Sequence, residues 1–465
     1  MDYQQTLDYI YSFVDYGLKS RYKYSPETFD LTRMRTVLAR LGDPQRRFPS
    51  VHVAGTKGKG SVAAMSASIL RAAGFRVGLY TSPHLNDFCE RLQLDGAPIS
   101  HDALAELTTE LRPLFDSTPG ITTFEITTAL AQQWFASQAV NLAVFEVGLG
   151  GRLDATNVLY PNVCAITSIS YDHVQLLGKT LREIAEEKAG IIKPGVPVVC
   201  APQHPEALER IAAIAREHGA RLRLVGRDWS FERESFSPHS QWFRVEPSAA
   251  LRDEIGEWNE GSAARFEIPL LGFHQVENAM VAIGLAQELR AQRAQRVQSF
   301  DISVEAIRRG LKDVVWPGRF EIVADAQHGK TIILDCAHNR DSAAKLAATL
   351  RELYPDARPL LLFGASDDKD VSGMLAELLP FASRVVTAKA DHPRASDPSR
   401  LAELVAAVSA ESGVARSVNV SHTVGSALAE VQAAAEPFIL ITGSIFLVAD
   451  VREKLISLSN APSIF

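Results

Sequence analysis

Val53-Ala54-Gly55-Thr56-Lys57-Gly58-Lys59-Gly60-Ser61 carries an apolar run through a glycine-rich turn into a helical pattern. Val51, Val53 and Ala54 read as the end of a strand, and Val62, Met65, Ile69 and Leu70 recur with the spacing of one helix face. Strand, glycine loop and helix in that order set main-chain N–H groups and a positive helix end around a phosphate. Gly55, Gly58 and Gly60 let the chain wrap an anion without side-chain clashes, with Thr56 and Lys57 completing the loop. Lys59 brings a positive charge to the terminal phosphates, and the Ser61 hydroxyl suits a magnesium ion. The loop is tighter than the usual G-x-x-x-x-G-K-[ST] spacing and has an extra glycine before the hydroxyl. An ordinary glycine turn with solvated lysines is the alternative. The coincidence of three glycines, a lysine and a serine at a strand-to-helix junction favours a nucleoside triphosphate.

With 465 residues, the chain exceeds one comfortable core, so two domains are expected. A content of 46% hydrophobic and 22% charged residues is that of a soluble globular protein. The net charge of -7 gives no overall basic footprint, which argues against a nucleic-acid partner. Asp2 and Asp8 within Met1 to Tyr16 argue against a secretory signal, and no apolar run is long enough to cross a bilayer. Cys89, Cys164, Cys200 and Cys336 are too scattered for a zinc site or a disulfide scaffold, which points to a reduced, cytoplasmic compartment with Cys164 and Cys200 buried.

Short β-branched runs (Ser50–Ala54, Arg76–Tyr80, Leu142–Val147, Val163–Thr167, Val196–Val199) alternate with helical stretches (Gly60–Ala73, His101–Phe115, Ile126–Gln138, Leu181–Ala189). Such alternation predicts an α/β fold with a mostly parallel sheet covered on both faces. Residues 227–266 break the rhythm: Trp229, Phe231, Phe236, Trp242, Phe243 and Phe266 amid Ser, Glu and Pro suggest an antiparallel insertion. A helix from Gln275 to about Arg296 follows. Trp316-Pro317-Gly318-Arg319 marks a hinge, after which a fresh α/β pattern begins. The expected division is 1–316, a P-loop ATPase-type domain, and 317–465, a smaller Rossmann-like α/β domain, with ligands at the carboxyl ends of strands.

Further constellations accompany the loop. Thr81-Ser82-Pro83-His84-Leu85 follows the second strand, and Glu146 ends a strand that runs into Gly148-Leu149-Gly150-Gly151-Arg152-Leu153-Asp154. A carboxylate on an apolar strand is costly to bury unless it is paired or holds a cation. Asp172-His173 follows a further strand. Ser61, Ser82, Glu146 and His173 could therefore converge on magnesium beside a triphosphate, with a satisfied core glutamate and a structural histidine as the plainer readings.

These segments together resemble the folylpolyglutamate synthases, often bifunctional as dihydrofolate synthases, of the Mur-ligase superfamily. The similarity rests on Val53–Ser61, Ser82–Leu85, Phe145–Asn157, Asp172–Gly178, Glu187–Gly195, Pro317–Phe320 and Asp335–Asn339, in that order. It implies ATP- and Mg2+-dependent amide ligation: a carboxylate takes the γ-phosphoryl group, and the amine of L-glutamate then displaces phosphate from the acyl phosphate. It further implies that Lys188 is the family's carbamylated lysine, catalytic with Lys59 and His173. On the residues alone, Lys188 equally reads as a helix-surface lysine paired with Glu186 or Glu187. By the same resemblance Asn278, Arg319 and Asp335 bind ATP, and His338 faces the incoming glutamate across an interdomain cleft. Thr122, Phe124, Asp154 and Ala155 belong to the pteridine site. Phe124 also reads as core filling, Asn278 and Arg319 as capping or solvated groups, and Asn339 as an N-cap.

The expected partners are L-glutamate and dihydropteroate or reduced folates, without nucleic acid or membrane, and a monomer is expected. The family pattern leaves room for a monovalent cation. A peptidoglycan-type Mur ligase is expected to need more chain before Gly55, and a P-loop kinase or a regulatory ATP-binding module would leave the amino-acid site without use.

Overall fold

The computed structural model describes residues 1–14, 31–255, 263–292, 300–325, 327–413 and 415–459, with the side chains of 253–255 and 457–459 outside the description. The described chain divides into two compact units. The first comprises Met1–Ser235, Gln241–Pro269 and Gln275–Val315; the second comprises Phe236–Ser240, Leu270–His274 and Trp316–Phe465.

The first unit is built on β1 (Ser50–Ala54), β2 (Val77–Tyr80), β3 (Leu92–Leu94), β4 (Ala97–Pro98), β5 (Leu142–Glu146), β6 (Val163–Ile166), β7 (Val198–Cys200) and β8 (Leu222–Leu224). Their order is β4-β3-β2-β5-β1-β6-β7-β8. β2, β5, β1, β6, β7 and β8 run parallel to their neighbours, while β3 and β4 form an antiparallel edge. Every residue of β1 and β5 is buried, as a strand covered by helices on both faces requires. The helix Lys59–Ala72 follows β1 and buries Val62, Met65, Ile69 and Leu70, the face expected from their spacing.

The aromatic stretch is a small sheet of β9 (Trp229–Phe236), β10 (Gln241–Pro247) and β11 (Ala264–Ile268), in the order β11-β10-β9. β10 and β11 pair antiparallel, with Phe243 opposite Phe266 and both fully buried. Alternate burial along β10 is the mark of a sheet with one wet face. The expected insertion is therefore present, although its residues 256–262 lie outside the described residues. The helix that follows runs Phe273–Ala291, and the expected extension over 293–296 also lies outside them.

The second unit holds β12 (Glu321–Asp325), β13 (Lys330–Leu334), β14 (Leu360–Phe363), β15 (Val385–Ala388), β16 (Val418–Ser421) and β17 (Phe438–Thr442), ordered β12-β13-β17-β14-β15-β16. β12 is antiparallel to β13 and the remaining pairs are parallel. Its own apolar core gathers Ile333, Leu346, Phe363, Met374, Leu401 and Leu440. Among the described residues no helix is long and apolar enough to cross a membrane, and all four cysteines are free and buried.

Candidate active site

The order β2-β5-β1-β6 decides where the chemistry gathers. Val53 on β1 lies opposite Glu146 on one side and Ala165 on the other, and Tyr80 on β2 lies opposite Phe145. The chain leaving these four strands supplies Ser82, Glu146, Gly55–Ser61 and Asp172-His173 to one carboxyl edge. At about 4.8 Å per strand the edge spans roughly 14 Å, close to the reach of a triphosphate and its metal.

Within the loop, the first residues brace and the later ones stay available. The N–H groups of Thr56 and Lys57 donate to the Ser168 carbonyl at 3.0 and 3.1 Å. The Thr56 hydroxyl donates to the Ser170 carbonyl and accepts from the Ser170 N–H, both at 3.2 Å. Lys57 Nζ lies 2.7 Å from the Asp172 carboxylate. Thr56 and Lys57 thus tie the loop to the segment after β6, and the positive charge at the helix start comes from Lys59, whose Nζ is 3.5 Å from the Thr56 carbonyl. Gly58 is the helix N-cap, at φ 87°, and offers no side-chain acceptor. Among the described residues, no acceptor takes the N–H groups of Gly58, Lys59, Gly60 or buried Ser61, the donors a helix start leaves open. Two glycines are obligatory here for want of room. A Cβ on Gly58 would overlap the Asn278 amide, and one on Gly55, at φ 147°, would overlap Thr167 Oγ1. Asn278 is itself buried and donates to Gln275 Oε1 at 2.9 Å, so the helix Phe273–Ala291 presses on the loop from above Gly58. Among the described residues, the buried Thr167 Oγ1 has no hydrogen-bond partner.

Glu146 is 5% exposed, and the Ser82 N–H donates to its Oε2 at 3.1 Å. Ser82 and Glu146 are therefore brought together directly. The Thr81–Leu85 loop is held from behind by Glu90, whose carboxylate accepts from the N–H groups of Leu85, Asn86 and Asp87. Arg91 Nε donates to His84 Nδ1 at 2.9 Å, which leaves the proton of that neutral ring on Nε2; burial and the Arg91 charge hold its pKa down at about 3. His173 has a left-handed backbone (φ 49°) and caps the short helix Val174–Leu177. It stands beside Asp172, with Nε2 3.9 Å from that carboxylate, and so reaches the loop through the Asp172–Lys57 pair.

Lys188 is not a surface lysine. It is 5% exposed, its Nζ donates to the Gly55 carbonyl at 2.8 Å, and Glu186 and Glu187 turn away to Arg210 and Arg152. Burial, then the charges of Lys59 and Lys57, hold its pKa well below the ordinary lysine range, against the pull of Asp172 and Asp154. That depression biases the amine at the root of the phosphate loop toward its neutral, nucleophilic form.

Thr122 caps the helix Thr123–Ser137 in a reciprocal box with Glu125, whose carboxylate also takes Arg33 Nε at 2.9 Å. Phe124 lies against Gly148, where a Cβ would meet its ring, and tilts toward Tyr80. Asp154 accepts from the N–H groups of Gly148, Leu149 and Thr156 and from the Thr156 hydroxyl. Its four acceptor positions are filled, so it shapes the turn after β5 and holds buried Ala155 at the start of a 3-10 turn. Burial pushes its carboxyl pKa up, and those donors oppose the shift.

In the second unit, Asp335 follows β13 and accepts from the N–H groups of Phe320 and Ala337 at 2.9 and 2.8 Å. Burial raises its pKa, and the Arg319 guanidinium beside it pulls the other way. Arg319 and Asp335 thus form one cluster with the Gly318–Phe320 turn. His338 Nδ1 pairs with the Cys336 carbonyl at 2.9 Å, and Asn339 caps the helix Arg340–Leu353. The bracing roles of Asp172, Glu90 and Arg33 carry no motif of their own in the sequence.

Residues 53–286 match the Mur ligase middle domain, and residues 318–445 match the Mur ligase, glutamate ligase domain. The chain is 34% identical to the dihydrofolate synthase/folylpolyglutamate synthase of Bacillus subtilis, over 97% of this chain and 99% of that protein. It superposes on Mycobacterium tuberculosis folylpolyglutamate synthase complexed with ADP and AMPPCP with a TM-score of 0.81, at 32% identity, covering 98% and 99% of the two chains. E. coli FolC in complex with DHPP and ADP gives 0.81 at 29% identity, covering 99% of both. Fold and site define a Mur-type ligase, and the chain belongs to the dihydrofolate synthase/folylpolyglutamate synthase family. It is an ATP-dependent ligase that forms amide bonds.

Proposed function

We propose that this protein joins L-glutamate to dihydropteroate and to reduced folates through an acyl phosphate, as a cytoplasmic enzyme. The observation that carries the reading is the row of open N–H donors from Gly58 to Ser61, with Lys59 beside them and buried Glu146 on the adjacent strand. The relatives' complexes with ADP, AMPPCP and DHPP support it.

In the first step a substrate carboxylate oxygen attacks the γ-phosphorus. The new O–P bond forms as the bond to the ADP oxygen breaks, and the open N–H groups with Lys59 stabilise the charge on the phosphate oxygens. In the second step the glutamate amine attacks the acyl carbon, the C–O bond to phosphate breaks, and the amine loses a proton. Asn278, Arg319 and Asp335 are assigned to ATP, Thr122, Phe124, Asp154 and Ala155 to the pteridine side, and His338 to glutamate.

Ser61, Ser82 and Glu146 offer hard oxygen donors, and a buried carboxylate on an apolar strand fits a magnesium ion; His173 fits an outer position better, because magnesium prefers oxygen. Bound there, the cation would neutralise phosphate charge during transfer. The Lys188 amine, its pKa held down by burial, is suited in its neutral form to add carbon dioxide, forming an N–C bond and releasing a proton, and the anionic product would offset the Lys57 and Lys59 charges.

ADP release with dihydropteroate or a reduced folate, with and without L-glutamate, tests the reading when followed by product mass. Turnover that needs both substrates and adds one glutamyl mass supports it. A phosphorylated product formed without glutamate would make the protein a kinase. Lys188→Ala should lose turnover and regain part of it with bicarbonate or a short carboxylic acid, and full activity in that variant would retire the carbamate.

A further inference from the structure

Away from the phosphate edge, Asp87, Cys89 and His101 bring a carboxylate oxygen, a thiol and an imidazole nitrogen within 4.8 Å of one another. The geometry points to a second cation site here, for a thiophilic divalent ion of the zinc class. Two pieces of chain supply the donors. Asp87 caps the 3-10 turn Phe88–Arg91, Cys89 lies buried within that turn, and His101 opens the helix His101–Asp116. The N-terminal helix Tyr3–Tyr11 holds the donors in place. The Tyr3 ring stacks on His101 at 3.6 Å with 2° between planes, and its hydroxyl donates to Asp87 Oδ1 at 2.9 Å. That leaves Asp87 Oδ2 directed at His101 Nε2, 2.7 Å away.

A tetrahedral cation with bonds of about 2.0–2.3 Å sets its ligands roughly 3.3–3.8 Å apart. The three donor atoms lie within 4.8 Å of one another, so small side-chain shifts bring them to that spacing, with the 2.7 Å Asp87–His101 contact opening by under about 1 Å. His101 is half exposed and can turn to allow this, whereas Cys89 is held by the turn. Three protein ligands with one face toward solvent leave a fourth position for water. The thiol selects zinc-class ions over magnesium, so this site and the oxygen-lined edge at Glu146 would not compete. The same turn bears Glu90, which fastens the loop carrying Ser82, so a cation here would stiffen that loop.

Cobalt(II) titration of the full chain, without nucleotide, tests the site through its sulfur-to-metal absorption. The expected result is one equivalent bound with a thiolate band, no band in Cys89→Ser, and at least tenfold weaker binding in His101→Ala. His101 is exposed enough for its alanine variant to fold, and a zinc-dependent rise in the wild-type melting temperature gives a readout independent of Cys89→Ser. Absence of a thiolate band with excess cobalt, or a band unchanged in Cys89→Ser, would overturn the proposal.

Discussion

Two strand-to-helix turns with the same topology treat their N–H groups in opposite ways. After β1 the helix Lys59–Ala72 starts on Gly58, which has no side chain to cap it, and its first donors stay open. After β13 the helix Arg340–Leu353 starts on Asn339, whose side chain accepts from the Ser342 N–H at 3.0 Å while the Ser342 hydroxyl takes the Asn339 N–H. Both turns lie at the carboxyl end of a parallel strand, where α/β proteins bind ligands. The difference is that one helix start closes the N–H groups of Asn339 and Ser342 with its own side chains, whereas the other has no side chain to do so and keeps its donors for an anion. The second turn contributes side chains instead, through Asp335 and His338.

The comparison can be broken most forcefully at Gly58. Gly58→Ala sets a Cβ on the Asn278 amide and demands a left-handed backbone, so the loop must shift. A displacement near 1 Å should cost on the order of 10²-fold in kcat/KM for ATP, and unchanged kinetics would show that the loop is not held for the nucleotide. Lys59→Ala should cost a similar or slightly smaller factor, of order 10², read as turnover at saturating ATP.

A smaller effect should touch both units alike. His52 in the first is fully buried and His274 in the second is half-buried, and loss of hydration lowers each pKa from 6.5 to about 3. The unfolded chain takes up these protons below about pH 6.5 while the folded one resists, so the stabilisation is complete above 6.5 and falls away with acid. By pH 5 each should cost about 2 kcal/mol. Thermal melts between pH 7 and 5 check this, and a melting temperature that stays flat would contradict the burial of these rings.

The smallest effect is expected at the capped turn. Asn339→Ala should lose about 1 kcal/mol of stability and leave ADP affinity unchanged. A large fall in ADP affinity would mean that this helix start, too, serves the phosphates.

Much of this arrangement is legible in the sequence because it is local. The β1 run, the glycines and the periodic face of Lys59–Ala72 need only near neighbours, and the Leu142–Glu146 strand announces itself by its apolar run ending in a carboxylate. Boundaries set by side-chain caps are less visible: the helix expected from Ile126 starts at Thr123, because Thr122 and Glu125 form a box. What depends on distant partners cannot be read from a linear pattern. Nothing near Lys57 tells that Asp172 takes its charge, nothing near Lys188 tells that it is buried against Gly55, and the closed hydrogen bonding of Asp154 appears only once the turn is folded. Phe236–Ser240 and Leu270–His274 join the second unit from within the first unit's stretch of chain, for which neither segment carries a compositional mark.

The most direct test is a crystal structure of this protein with ADP and magnesium. The account predicts β-phosphate oxygens accepting from the N–H groups of Gly58 to Ser61, with Lys59 Nζ in contact and the cation near Glu146. Phosphates bound elsewhere, with those four N–H groups facing water, would contradict it.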